Sequence, residues 1–155
     1  ILNVAVSSHN GSSILTGPSE EYINMINDAD EHHHWIKGIS RLPRPGYNSL
    51  IEKVIEERGL DSSFISEFDV KTITLNQLVY SHGLEHIDFL KSDAEGHDLQ
   101  ILEAYDWVIR PTLIKVEHRM QDDPDPFTPK LIELFDYHDY AHWLERDDIY
   151  AVSKK

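Results

Sequence analysis

From Val70 onward the chain alternates short extended runs with helical stripes, and this alternation limits the fold more than any other feature of the sequence. Val70 to Ile73 is β-branched and extended. Thr74 with Gln77 three residues later has the form of a capping box ahead of Leu75, Leu78 and Val79, and Gly83 supplies a stop. Ile87-Asp88-Phe89-Leu90-Lys91-Ser92-Asp93 reads as a buried strand. After Ala94-Glu95-Gly96, the residues Leu99, Ile101, Leu102, Tyr105 and Val108 make a helical apolar stripe that ends before Pro111. Thr112 to Glu117 is another mostly apolar strand. Thr128-Pro129 reads as an N-cap with proline at the first helical position, followed by Leu131, Ile132, Leu134 and Phe135. Ala141 to Arg146 and Ile149 to Ser153 close the chain as two strands around Asp147-Asp148. Strands alternating with helices and then a hairpin predict an α/β fold, mostly parallel, with a C-terminal antiparallel hairpin.

The amino-terminal half is less regular. Leu2 to Ser7 and Ser12 to Thr16 read as a hairpin joined by His9-Asn10-Gly11, because Asn-Gly favours a tight turn. Residues 17–46 are polar and proline-punctuated, and read as a long loop or insertion. Ser49 with Glu52 starts a short amphipathic helix carrying Leu50, Ile51, Val54 and Ile55 and ending at Gly59.

Composition narrows the class. A chain of 155 residues, 40% hydrophobic, reads as a single domain, 1–155, able to bury roughly two-thirds of its extended surface without disulfides. It has no cysteine, which excludes a disulfide framework and thiolate metal sites. A net charge of -14, with basic residues scattered among acids, argues against nucleic acid as a partner. Apolar runs are only a few residues long, so no membrane partner is expected, and the chain reads as soluble and cytoplasmic. It opens on Ile1 and runs straight into a strand-like segment, so an amino-terminally truncated domain is expected.

In an open α/β sheet, ligands bind outside the carboxyl ends of the strands. Two segments lie there. Lys91-Ser92-Asp93-Ala94-Glu95-Gly96-His97-Asp98 packs acids, a lysine and a histidine into a strand-to-helix turn, and Glu117-His118-Arg119 ends the next strand. If the two strands are neighbours, Asp93, Glu95, Glu117 and His118 converge. Such a set can bind a hard divalent metal through oxygen ligands or supply a general base for a hydroxyl. Asp93 and Glu95 also suit a plain structural role, capping the next helix against its positive end.

Thr74-Leu75-Asn76-Gln77-Leu78, the strand with Lys91-Ser92-Asp93-Ala94-Glu95-Gly96, the helix with Leu102, and Pro111 before a strand ending in Glu117 resemble the FkbM family of S-adenosylmethionine-dependent methyltransferases. Ala5-Val6-Ser7 and Gly11 are similar to a further family segment. The resemblance implies a class I methyltransferase, Rossmann-like, doubly wound sheet, here in part. It implies S-adenosylmethionine as cofactor and methyl transfer to a hydroxyl oxygen of a small-molecule or glycan acceptor. By position it implies catalytic roles for Asp93, Glu95 and His118 and cofactor contacts from Ser92, Asp93 and Gly96. Lys91, His97 and Glu117 would shape the substrate side. Asp93, Glu95, Glu117 and His118 remain the candidates for a divalent metal. After Gly96 the family commonly has a small residue and then glutamate, whereas His97-Asp98 stand here. The family's glycine-rich cofactor loop is not in the chain, so the activity is expected of a longer parent protein. A non-catalytic binding or assembly module, a metal-dependent enzyme and a homo-oligomer stay open as alternatives.

Other features have plainer readings. His32-His33-His34 lies in an acidic stretch, and three adjacent side chains point in different directions, which suits a polar loop better than a metal site. Trp107, Trp143, Tyr137 and Tyr140 read as core packing rather than a stacking platform. Asp122-Asp123-Pro124-Asp125-Pro126 lacks the spacing of a calcium loop and reads as an acidic turn.

Overall fold

The computed structural model describes residues 2–29, 40, 42, 59, 62–120, 123–124 and 127–154. The His32-His33-His34 triplet, the expected helix after Ser49 and most of the proline-punctuated stretch lie outside them. The chain forms two compact units, Ser12–Val70 and Ile1–Gly11 with Lys71–Lys155.

In the Ser12–Val70 unit, strand β2 (Gly11–Pro18) leads into helix α1 (Glu20–Ala29). Ser19 caps that helix: its Oγ accepts from Tyr22 N at 3.2 Å, and Glu20 and Glu21 place negative charge at the positive helix end. Tyr22 is fully buried and meets Phe64 edge-on, with 5.7 Å between ring centroids. Residues 17–46 are therefore not a loop throughout. Phe64 belongs to a 3-10 turn (Ser62–Phe64) that opens strand β3 (Ile65–Thr74).

The expected amino-terminal hairpin is not formed. Strand β1 (Ala5–Ser7) pairs in parallel with the end of β3, Ala5 opposite Thr72 and Ser7 opposite Thr74, and the sheet order is β1-β3-β2. Asn10 is occupied elsewhere: its Oδ1 accepts from Thr74 N at 2.8 Å, and of the Asn-Gly pair only Gly11 has positive φ. The tight hairpin turn needs positive φ at both.

Thr74 then caps helix α2 (Leu75–Ser81), its Oγ1 accepting from Gln77 N at 3.1 Å, and Gly83 follows at φ 60°. Asn76 ties α2 to the loop after helix α3 (Asp98–Glu103), donating to Ala104 O at 3.1 Å and accepting from Asp106 N at 3.0 Å.

The larger sheet contains strands β4 (Phe89–Ser92), β5 (Leu113–Glu117), β8 (Tyr140–Glu145) and β9 (Asp148–Ser153) in the order β4-β5-β9-β8. Only β4 with β5 is parallel; β5 with β9 and β8 with β9 are antiparallel. The sheet is thus mixed rather than mostly parallel, because the closing hairpin inserts β9 beside β5. The hairpin itself is as expected. A two-stranded ribbon, β6 (Arg119–Met120) with β7 (Asp123–Pro124), takes in part of the acidic turn.

Alternation sets the core. Ile114 and Val116 of β5 and Ile149 and Ala151 of β9 are fully buried on one face, with Leu75 and Val79 of α2, Leu99, Ile101 and Leu102 of α3, and Leu131 and Phe135 of helix α4 (Thr128–Tyr137) in the same cluster. The Thr128 expectation shifts by one residue: Phe127 is the cap, and Thr128 Oγ1 donates to His118 O at 3.1 Å. Trp107 and Tyr140 are core residues, but Trp143 is 45% exposed, stacked on Tyr150 across the hairpin, and Tyr137 is exposed too. The molecule is a mixed α/β structure in which the described core lies on one face of the larger sheet. No helix among the described residues is long and apolar enough to cross a membrane.

Candidate active site at the strand ends

β4 and β5 are parallel, with Ser92 opposite Val116, so Asp93 and Glu117 leave the same end of two adjacent strands. This is the adjacency on which the convergence of the acids depended. After Asp93 the chain makes a turn closed by His97 N donating to Ala94 O at 3.0 Å, with Glu95 at φ 49° and Gly96 at φ 82°. Gly96 occupies left-handed backbone at no cost, whereas for Glu95 the same region is unfavourable by of order 1 kcal/mol. Neither Asp93 nor Glu95 caps α3: its N-cap residue is His97, which makes no side-chain cap bond.

Lys91 Nζ pairs with Asp93 Oδ2 at 3.0 Å, both half exposed. His97 Nε2 lies 3.2 Å from the buried Ser7 Oγ at the end of β1. On the far side of Glu117, Asp148 stands opposite it in β9 and pairs with Lys115 Nζ at 2.8 Å. Sequence reasoning missed Asp148, which only the antiparallel insertion of β9 brings here. Asp98 was read as one of the acids of the turn but given no role of its own, since nothing in the sequence announces its burial.

The electrostatic consequence falls on Glu117. Burial first, then the carboxylates of Glu95, Asp93, Asp98 and Asp148, push its pKa up to about 7. Asp98 is also raised, by burial above all, against the opposing hydrogen bonds of Ser92 and Ala94. Four of the expected residues, Asp93, Glu95, Glu117 and the lysine Lys91, thus meet at one strand edge.

His118 does not join them. It is 6% exposed, its Nε2 donates to Arg146 O at 3.2 Å, and its Nδ1 lies 3.2 Å from Thr128 Oγ1. Both ring nitrogens serve the packing of α4 and the β8–β9 turn. Among the described residues, no group of three or more His, Asp or Glu side chains is arranged to hold a metal ion.

The chain matches the family model of the methyltransferase FkbM domain over residues 3–145. It belongs to the FkbM methyltransferase family. No curated protein and no solved structure matches it. Methyl transfer is therefore the general activity that this FkbM domain's membership indicates, and the acid cluster lies within the matched residues.

The Glu117 shift makes the FkbM domain's stability depend on pH in a direction that can be tested. A carboxyl group with a raised folded pKa binds its proton more tightly in the folded state, so folding is disfavoured as pH rises from its ordinary value near 4.5 through about 7. We expect Glu117→Gln to raise the melting temperature at pH 8 and to leave it unchanged at pH 4. Equal shifts at both pH values would refute the assignment.

Proposed function

We propose that the protein is an S-adenosylmethionine-dependent methyltransferase acting on a hydroxyl oxygen of a small-molecule or glycan acceptor. The observation that carries this reading is the convergence of Asp93, Glu95 and Glu117 at adjacent parallel strand ends, with Glu117 poised near neutrality. A general base works best when its pKa lies near the operating pH.

The cluster's chemistry fits the cofactor. The carboxylates of Glu95, Asp93, Asp98 and Asp148 all act on Glu117 here, while the two nearby lysines are engaged by Asp93 and Asp148. A cationic group relieves that repulsion, and the donor is a sulfonium. When bound, S-adenosylmethionine supplies a methyl group on positively charged sulfur, open to in-line displacement by an aligned nucleophile. Ser92, Asp93 and Gly96 are the residues proposed to hold it, Gly96 because it lacks a side chain that would keep a ligand from the backbone. Asp93 and Glu95 orient the acceptor hydroxyl, and Glu117 accepts its proton. Lys91 directs the Asp93 carboxylate, and His97 steadies the turn through Ser7. His118 is assigned to packing.

Calorimetry tests this reading. At pH 7 in two buffers of different ionisation enthalpy, S-adenosylmethionine should bind with proton release, because a nearby cation lowers the pKa of Glu117. S-adenosylhomocysteine, a neutral thioether, should release fewer protons, and Glu117→Gln should abolish the difference. No binding of either compound at millimolar concentration would sink the enzyme reading and favour a binding or assembly module.

A further inference from the structure

We infer that Asp98 is the positioning residue of this site: its buried carboxylate holds the backbone of the turn between Asp93 and Glu95 and so fixes how these two face the reacting atoms. The inference rests on the functional reading above. Asp98 lies in the first turn of α3 and is 1% exposed. Its Oδ2 accepts from Ala94 N at 3.3 Å. Ala94 stands between Asp93 and Glu95.

Ala94 is held by both of its backbone groups, its N–H by Asp98 and its carbonyl by His97 N at 3.0 Å. A backbone fixed at consecutive points fixes the direction in which the side chains of Asp93 and Glu95 leave it. Lys91 then sets the Asp93 carboxylate at 3.0 Å. The arrangement also accounts for Glu95 at φ 49°, a conformation that persists only where its surroundings enforce it.

A purely stabilising role explains Asp98 less well. Its Oδ1 is buried and makes no hydrogen bond, and Asp93 adds like-charge repulsion. A buried carboxylate with an unpaired oxygen is a net cost to folding. Placement of Asp93 gives that cost a purpose. Asp98 also belongs to the set facing Glu117, with Asp93, Glu95 and Asp148, the last tied to Lys115.

Three readouts on the whole protein test the inference: hydrogen exchange of the Ala94 amide, titration with S-adenosylhomocysteine, and the Glu117 carboxyl carbon followed by NMR against pH. Asp98→Ala should speed Ala94 exchange and weaken S-adenosylhomocysteine by about tenfold, the size of one lost charge-assisted hydrogen bond. Asp98→Asn keeps an acceptor oxygen, so Ala94 protection and affinity should return, while the Glu117 midpoint falls because a neighbouring negative charge is gone. Unchanged Ala94 exchange in Asp98→Ala would overturn the inference. So would an Asp98→Asn protein that folds yet is as impaired as the alanine variant, or one whose Glu117 midpoint does not move. If the wild-type protein itself does not bind S-adenosylhomocysteine, the functional reading fails, and Ala94 exchange and the Glu117 titration still decide whether Asp98 holds the turn.

Discussion

Asp93→Ala abolishes methyl transfer while leaving the domain folded. The two halves of this expectation have separate causes. Asp93 is half exposed, outside the hydrophobic cluster, and its pair with Lys91 is a surface ion pair worth about 0–1 kcal/mol, so little stability depends on it. Its carboxylate nevertheless stands at the junction of the β4 end, the Glu95-Gly96 turn and Glu117. Loss of the group proposed to orient the acceptor should lower turnover by about 100-fold to 10,000-fold. A melting curve and a donor-consumption assay on the same preparation separate the outcomes. Wild-type turnover in a folded Asp93→Ala protein would remove Asp93 from the chemistry. A lowered melting temperature would show that the motif holds the fold rather than the substrate.

The largest effect on stability should come from Phe135→Ala. Phe135 is fully buried on α4, tilted against the Tyr140 ring at 6.1 Å between centroids, in the cluster that includes Ile114, Val116 and Ile149. Truncating a buried phenylalanine typically costs about 3–5 kcal/mol, since the cavity collapses only in part. Against a total stability of about 5–15 kcal/mol, that loss is enough to leave the protein marginally folded. Chemical denaturation of the two proteins should show a large drop in midpoint with a similar slope. A cost under about 1 kcal/mol, as at exposed positions, would mean that α4 is not held by this core.

What the sequence made legible follows the range of the forces involved. The start of α2 was readable because Thr74 caps Gln77 N only three residues away, and Gly83 marks the end just as locally. The β8–β9 hairpin and the strand ending at Glu117 were readable for the same reason. Long-range bonds defeated the rest. Asn10-Gly11 carries a hairpin signature, but Asn10 bonds to Thr74 N, 64 residues away, and β1 pairs with β3 instead of β2. The helix at Glu20 was passed over because its cap is a lone serine and Tyr22 finds its partner, Phe64, far along the chain. In the site, Asp93, Glu95 and Glu117 were found because their strands are parallel neighbours. His118 was grouped with them by sequence proximity, although its ring bonds to Arg146 and lies against Thr128. Asp98 and Asp148 matter through burial and through the insertion of β9, neither of which a local pattern expresses.

Under the proposed function, Glu95 puts stability and activity in opposition at a single position. Its backbone at φ 49° suits glycine better than any residue with a side chain. Selection for thermal robustness alone would therefore draw this site toward Gly-Gly, with a relaxed turn and one fewer carboxylate facing Glu117. The role proposed for Glu95 accounts for a glutamate there, and stabilised variants that keep it are best sought away from the turn.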